Sequence, residues 1–123
     1  AYAEGAAVMV PQNTRVYLAT GHTDMRKSIN GLSILVQMHL RLDPFAGHLF
    51  AFCNRRRNMV KILYWDRNGF CIWHKRLERH RFVWPKSREQ VLSLDNRQLH
   101  WLLEGLDIRQ HHAHAALKYS MTG

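Results

Sequence analysis

The stretch CNRRRNMVKILYWDRNGFCIWHKRL, residues 53–77, decides how this chain folds. Two apolar runs, Met59–Trp65 and Phe70–Leu77, flank Asp66-Arg67-Asn68-Gly69. Asn-Gly between such runs is a strong hairpin signal, because both residues tolerate positive φ. A two-residue Asn68-Gly69 turn sets Trp65 against Ile72, Leu63 against His74 and Lys61 against Arg76. The other face then carries Tyr64 with Trp73, Ile62 with Lys75 and Val60 with Leu77; a bulged turn moves this register by one or two. The connection entering the hairpin holds three consecutive arginines, Arg55, Arg56 and Arg57, between Asn54 and Asn58. A turn needs polar residues, but Asn and Gly alone would make one.

Upstream, Leu49–Cys53 reads as a further strand, and Thr14–Ala19 alternates enough to be another. Between them Thr23 is placed as an N-cap, with Asp24 in the first turn where a carboxylate suits the helix dipole. Met25, Ile29, Leu32, Leu35, Val36 and either His39 or Leu40 follow at helical spacing, so an amphipathic helix is expected from about Asp24 to Arg41, ended by Asp43-Pro44. Gly31 within it suggests close packing at that point. Downstream, Phe82-Val83-Trp84 is an extended segment stopped by Pro85, and Val91–Leu94 is an edge strand. Asp95 with Gln98 makes a capping box for a last helix, lined by Leu99, Leu102, Leu103 and Leu106, with Gly105 placed as C′. The expected fold is α+β: an antiparallel sheet of three to five strands around a central Asn-Gly hairpin, with one N-terminal and one C-terminal amphipathic helix. Residues 9–108 form a single domain in this reading. Residues 1–8 read as a disordered or expression-derived leader before Met9, and residues 109–123 as a flexible His-rich tail.

The chain has 123 residues and a formal net charge of +9. Between Arg55 and Arg88 stand eleven Lys/Arg and two acids, while the remainder has seven of each. The whole net charge therefore sits on one segment, a distribution that attracts polyanions. Arg55, Arg56 and Arg57 can offer guanidinium forks to phosphate oxygens. Lys61, Arg67, Lys75, Arg76, Arg79 and Arg81 extend the patch along both strands and their connections. Trp65, Trp73 and Trp84 are interleaved with these cations; stacking on unpaired bases suits them, but packing in the sheet suits them better.

A catalytic constellation does not assemble from these residues. Asp66, Glu78 and Asp107 are the acids left for a metal-dependent nuclease, and each has basic neighbours; Cys53 has nothing in sequence to activate it with His74. His111-His112-Ala113-His114 lacks cysteine or carboxylate partners at structural-zinc spacing, so neither a metal site nor a cofactor is expected. Two cysteines, Cys53 and Cys71, make no disulfide framework and fit a reducing cytoplasm, and the apolar runs are too short to span a bilayer.

Four stretches, TRVYLATGHTDMRKSINGL, DPFAGHLFAF, NMVKILYWDRNGFCIWHKRLERHRFVWP and LSLDNRQLHWLLEGLD, carry a resemblance from Thr14 to Asp107. In order and spacing they resemble the TnpB-type accessory protein of bacterial insertion sequences of group sixty-six, encoded by their second open reading frame. This is a different protein from the RNA-guided nuclease that shares the label. The resemblance implies a cytoplasmic bacterial protein, without catalytic activity of its own, that serves DNA transposition beside a separate transposase. Joined to the charge pattern, it suggests DNA bound through the basic hairpin; the alternative is an assembly factor that docks its basic face on the transposase without touching DNA.

Overall fold

The computed structural model describes residues 14–109. Five strands, β1 (Val16–Ala19), β2 (Leu49–Cys53), β3 (Met59–Asp66), β4 (Gly69–Arg76) and β5 (Val91–Leu94), form one sheet in the order β4-β3-β2-β1-β5. Helix α1 (Ile29–Ile34), continued by a wider π turn over Leu35–His39, lies between β1 and β2, and α2 (Asn96–Leu103) follows β5. The leader and the His-rich tail fall outside the described residues, apart from Arg109.

The sheet is mixed rather than antiparallel. β1 and β2 run parallel, Val16 beside Leu49 and Leu18 beside Ala51, while the β1–β5, β2–β3 and β3–β4 pairs are antiparallel. The sequence order already held the reason. A helix between two strands is the crossover that parallel pairing requires, whereas a hairpin joins antiparallel ones. Every residue of β2 is buried, as expected of a strand covered on both faces.

The β3–β4 pairing also differs from the expected register. Leu63 faces Ile72, Lys61 faces His74 and Asp66 faces Gly69, so the residues of the turn are Arg67 and Asn68. The positive φ falls on Arg67, at 51°, and not on the Asn-Gly pair. This displaces β4 by two residues, an even number, so every side chain keeps its expected face. Val60, Ile62, Tyr64 and Trp73 meet one core cluster, and Leu63, Phe70 and Ile72 meet the other.

Each cluster has its own cover. Leu32, Val36 and Leu40 of the first helical segment pack on Phe50, Phe52 and Leu63. On the other face Leu99, Leu102, Phe82 and Trp84 pack on Leu18, Ala51 and Ile62. The helix expected from Asp24 starts instead after Ser28. The carbonyls of Met25 and Lys27, which a longer helix would give to its own amides, accept the Lys61 ammonium at 2.7 and 2.9 Å. At its far end Arg41 takes positive φ, 58°, ahead of Asp43-Pro44. In α2 the capping box forms as expected, Asp95 accepting from Gln98 N and the Gln98 side chain accepting from Asp95 N. Gly105, at φ 88°, closes it in a Schellman motif, with Gly105 N donating to Leu102 O and Leu106 N to Trp101 O.

Candidate nucleic-acid interface

This topology collects loops from distant parts of the chain at one end of the sheet. The carboxyl ends of β1 and β2, the start of β3, the end of β4 and the start of β5 all lie there. Residues 77–90 cross that end as a strap. Leu77 N donates to Asn58 O and Phe82 N to Arg57 O, Trp84 Nε1 donates to Ala19 O at 2.8 Å, and Gln90 O accepts from Thr20 N. Alternation fixes the strap: Phe82 and Trp84 are buried, while Arg81 and Val83 face solvent.

The segments 20–27, 54–58 and 76–90, which make up this end, contain ten Lys/Arg against three acids. Seven of those cations, Lys27, Arg55, Arg56, Arg79, Arg81, Lys86 and Arg88, are exposed and make no ion pair among the described residues. The α2 C-terminus reaches the same end, where Gly105 faces the Arg81 carbonyl, and adds Glu104, Asp107 and Arg109.

The nine cations expected to form one patch divide into groups. Arg55 and Arg56 project from the β2–β3 turn, which Asn54 braces: its Oδ1 accepts from Asn58 N and Met59 N, and its Nδ2 donates to Asn58 Oδ1. Arg79 and Arg81 are exposed on the strap beside them. Arg57 differs from its two neighbours. It takes positive φ, 62°, and its Nη1 is buried without a hydrogen-bond partner. Burial pushes the Cys53 thiol up, an effect opposed in part by the Arg57 guanidinium beside it.

Lys61 and Lys75 point to opposite faces, and each caps backbone carbonyls. Lys61 holds the loop before α1, and Lys75 Nζ donates to Leu103 O at 2.9 Å in the last turn of α2. There a cation also suits the helix dipole. Arg76 is paired with Glu78 at 3.0 Å. Arg67 pairs with Asp66 at 3.6 Å at the opposite end of the sheet, about 25 Å away along β3 at roughly 3.3 Å per residue. His74 is held below its ordinary value by burial, and further by Lys61 and Arg76. The aromatics divide as well. Trp84 is core, and Trp65 packs with Phe45 and Phe70 at the far end, ring centroids about 5 Å apart.

Charge counting along the chain misses Arg26 and Lys27, which the fold brings to the basic end. Thr23 N donates to Cys53 O at 2.8 Å and Arg55 Nη2 stands 3.5 Å from His22 Nε2, so the loop after β1 abuts the arginine turn. Within that loop Asp24 is lowered to about 2, chiefly by hydrogen bonds from the Arg26 side chain and then from its backbone N–H. Parallel pairing of β1 with β2 was the missing signal. Among the described residues no group of three or more His, Cys, Asp or Glu could hold a metal ion, and no helix is long and apolar enough to cross a membrane.

The chain matches the family described as IS66 Orf2 like protein over residues 14–113. It is 44% identical over 98 residues to uncharacterized protein y4hO of Sinorhizobium fredii (strain NBRC 101917 / NGR234), covering 80% of this chain and 85% of that protein. Uncharacterized protein y4jC of the same strain is 33% identical over 93 residues, covering 76% and 80% respectively. No solved structure matches significantly. The stretches that run from Thr14 to Asp107 thus fall within the matched span, and this chain belongs to the IS66 Orf2-like family, which ties it to an accessory role in insertion-sequence transposition.

Proposed function

We propose that this protein holds DNA on the basic end of its sheet while a separate transposase carries out the chemistry. The observation that carries the reading is the convergence of Arg55 and Arg56 from one turn with Arg79, Arg81, Lys86 and Arg88 from the strap, all exposed. Exposed guanidinium groups on short, braced loops bind phosphate with little ordering cost. Three of the nearby acids have local uses that suit a scaffold: Asp24 binds Arg26, Glu78 binds Arg76 and Asp107 binds Arg109.

Contact with the transposase has its own support. Ile34 and Met38, one turn apart, are 57% and 76% exposed, on the side of the first helical segment away from the sheet. Such side chains favour a protein contact there, which leaves the basic end for DNA.

Fluorescence anisotropy of labelled duplex across a salt series tests the DNA reading. Steep salt dependence is expected, and Arg55→Ala/Arg56→Ala lowers the log–log slope by about 0.9 for each phosphate that is no longer neutralised. No binding at low salt contradicts it and assigns the basic end to an acidic protein surface.

A further inference from the structure

The loop leaving β1 and the segment entering β5 border a cavity of about 440 Å³. That volume lies within the roughly 300–1,000 Å³ typical of small-ligand sites. It opens where the chain connections diverge. β1 leads over one face of the sheet into α1, whereas β5 is reached from the strap, whose Phe82 and Trp84 pack on the other face.

The two walls are joined along one edge. Thr20 Oγ1 donates to Glu89 O at 2.6 Å and Thr20 N to Gln90 O at 3.1 Å, which staples the two segments at the floor. Lys27, Arg88, His22 and His39 line the space, with His39 supplied by the π turn. Two carboxylates also line it, but Asp24 is committed to Arg26 at 2.8 Å, which leaves Glu89. A Cβ added at Gly31 would lie 3.3 Å from Lys27 Cβ and Cγ, so the missing side chain is what makes room for the Lys27 stem. Ala19 and Leu35 add apolar wall.

We propose that this cavity takes one nucleotide unit, its phosphate among Lys27, Arg88 and the two imidazoles and its base against Ala19 and Leu35. The chemistry is shared by a free nucleotide and by an unpaired nucleotide of a strand lying on Arg55 and Arg56, which His22 adjoins; the second source rests on the DNA reading above. Lys27 and Arg88 are exposed, so a Lys27→Ala/Arg88→Ala variant keeps its fold.

Two measurements on the full chain separate the sources. Amide and imidazole NMR spectra are recorded during titration with dAMP. Anisotropy compares a blunt duplex with the same duplex carrying a one-nucleotide extension, for the parent protein, Lys27→Ala/Arg88→Ala and Arg55→Ala/Arg56→Ala. Resonances of His22, Lys27 and His39 are expected to move with dAMP. The extended duplex should bind about fivefold or more tightly than the blunt one, as one added charge-assisted phosphate contact and the burial of a base against apolar side chains allow. That preference should vanish in Lys27→Ala/Arg88→Ala, whose affinity for the blunt duplex also falls because Arg88 belongs to the basic end. Arg55→Ala/Arg56→Ala, by contrast, should weaken both duplexes alike and keep the preference. Shifts with dAMP but no preference, or no DNA binding at all, assign the cavity to a free nucleotide. DNA binding without preference and without dAMP shifts overturns the cavity and spares the DNA reading. A preference that survives Lys27→Ala/Arg88→Ala overturns it as well.

Discussion

The two ends of the sheet use similar parts and differ in what they do with charge. At the carboxyl end of β1 and β2, turn and strap leave Arg55, Arg56, Arg79, Arg81, Lys86 and Arg88 exposed without ion pairs among the described residues. At the opposite end Arg15, Arg41, Arg67 and Arg97 stand near Asp43, Asp66 and Asp95. There Arg67 is paired with Asp66, and Arg15 donates to Ser93 Oγ at 2.6 and 3.1 Å. That end is close to formal balance, four arginines against three aspartates, although Arg15, Arg41 and Arg97 make no ion pair among the described residues. It is finished by the Phe45, Trp65 and Phe70 rings. The other holds an uncompensated field. The hairpin itself spans both ends, so the contrast in charge lies between the ends of the sheet and not between its strands.

The contrast breaks most completely if the strap is released. Trp84 fills the core under the basic end and is hydrogen-bonded to Ala19 O. Trp84→Ala should cost about 3–5 kcal/mol of stability, read by urea denaturation, because a large buried side chain and its hydrogen bond go together. A cost below about 1 kcal/mol would mean that the strap is not anchored there.

A smaller change sharpens the comparison from within the basic set. Lys61 donates to two carbonyls and Lys75 to one, whereas Arg55 and Arg56 are exposed. Lys61→Met should lower stability by about 1.5–3 kcal/mol, as for hydrogen bonds made by a charged group, and barely alter the salt slope of DNA binding. Arg56→Ala should do the reverse. The two variants exchanging these phenotypes would dissolve the distinction between structural and phosphate-facing cations.

Much of the fold is legible in the sequence itself. The strands, the two core faces of the hairpin, the capping box at Asp95 and the Gly105 stop follow from local chemistry, which acts over a few residues. Three features depend on longer range. Parallel pairing of β1 with β2 is a tertiary choice, although the strand–helix–strand order allows it. The late start of α1 comes from Lys61, 34 residues after Lys27, taking carbonyls that local propensity assigns to a helix. The identity of the basic end comes from adding the β1 loop and the strap to the arginine turn, which no linear charge count does. For the same reason Arg57, Lys61, Lys75 and Arg67 look equivalent to Arg55 in sequence and are not equivalent in the fold.

Acid should part Asp24 from Arg26 only well below the ordinary carboxylate range. Asp24 has a folded value of about 2 against an ordinary 3.8. Its contribution is therefore fully present above the ordinary value and is lost as pH falls through about 2. A carboxyl NMR titration should give a midpoint near 2 for Asp24, and Arg26→Ala should return it towards 3.8. An unchanged midpoint in Arg26→Ala would contradict the pairing. The smallest effect is on thiol labelling of the native protein. Buried Cys53, its thiol pushed up by that burial, should react far more slowly than half-buried Cys71. Comparable rates for the two would mean that the arginine turn opens readily.

The most direct test of the central claim sets the two ends against each other in one DNA-binding experiment. Arg55→Ala/Arg56→Ala and Arg67→Ala/Arg97→Ala remove the same charge from opposite ends of the sheet, and both would be titrated with labelled duplex across a salt series. A flattened salt slope and weakened binding are expected for Arg55→Ala/Arg56→Ala, with Arg67→Ala/Arg97→Ala close to the parent protein. Equal weakening from both ends would show a diffuse charge effect and contradict a DNA interface confined to the carboxyl end of β1 and β2.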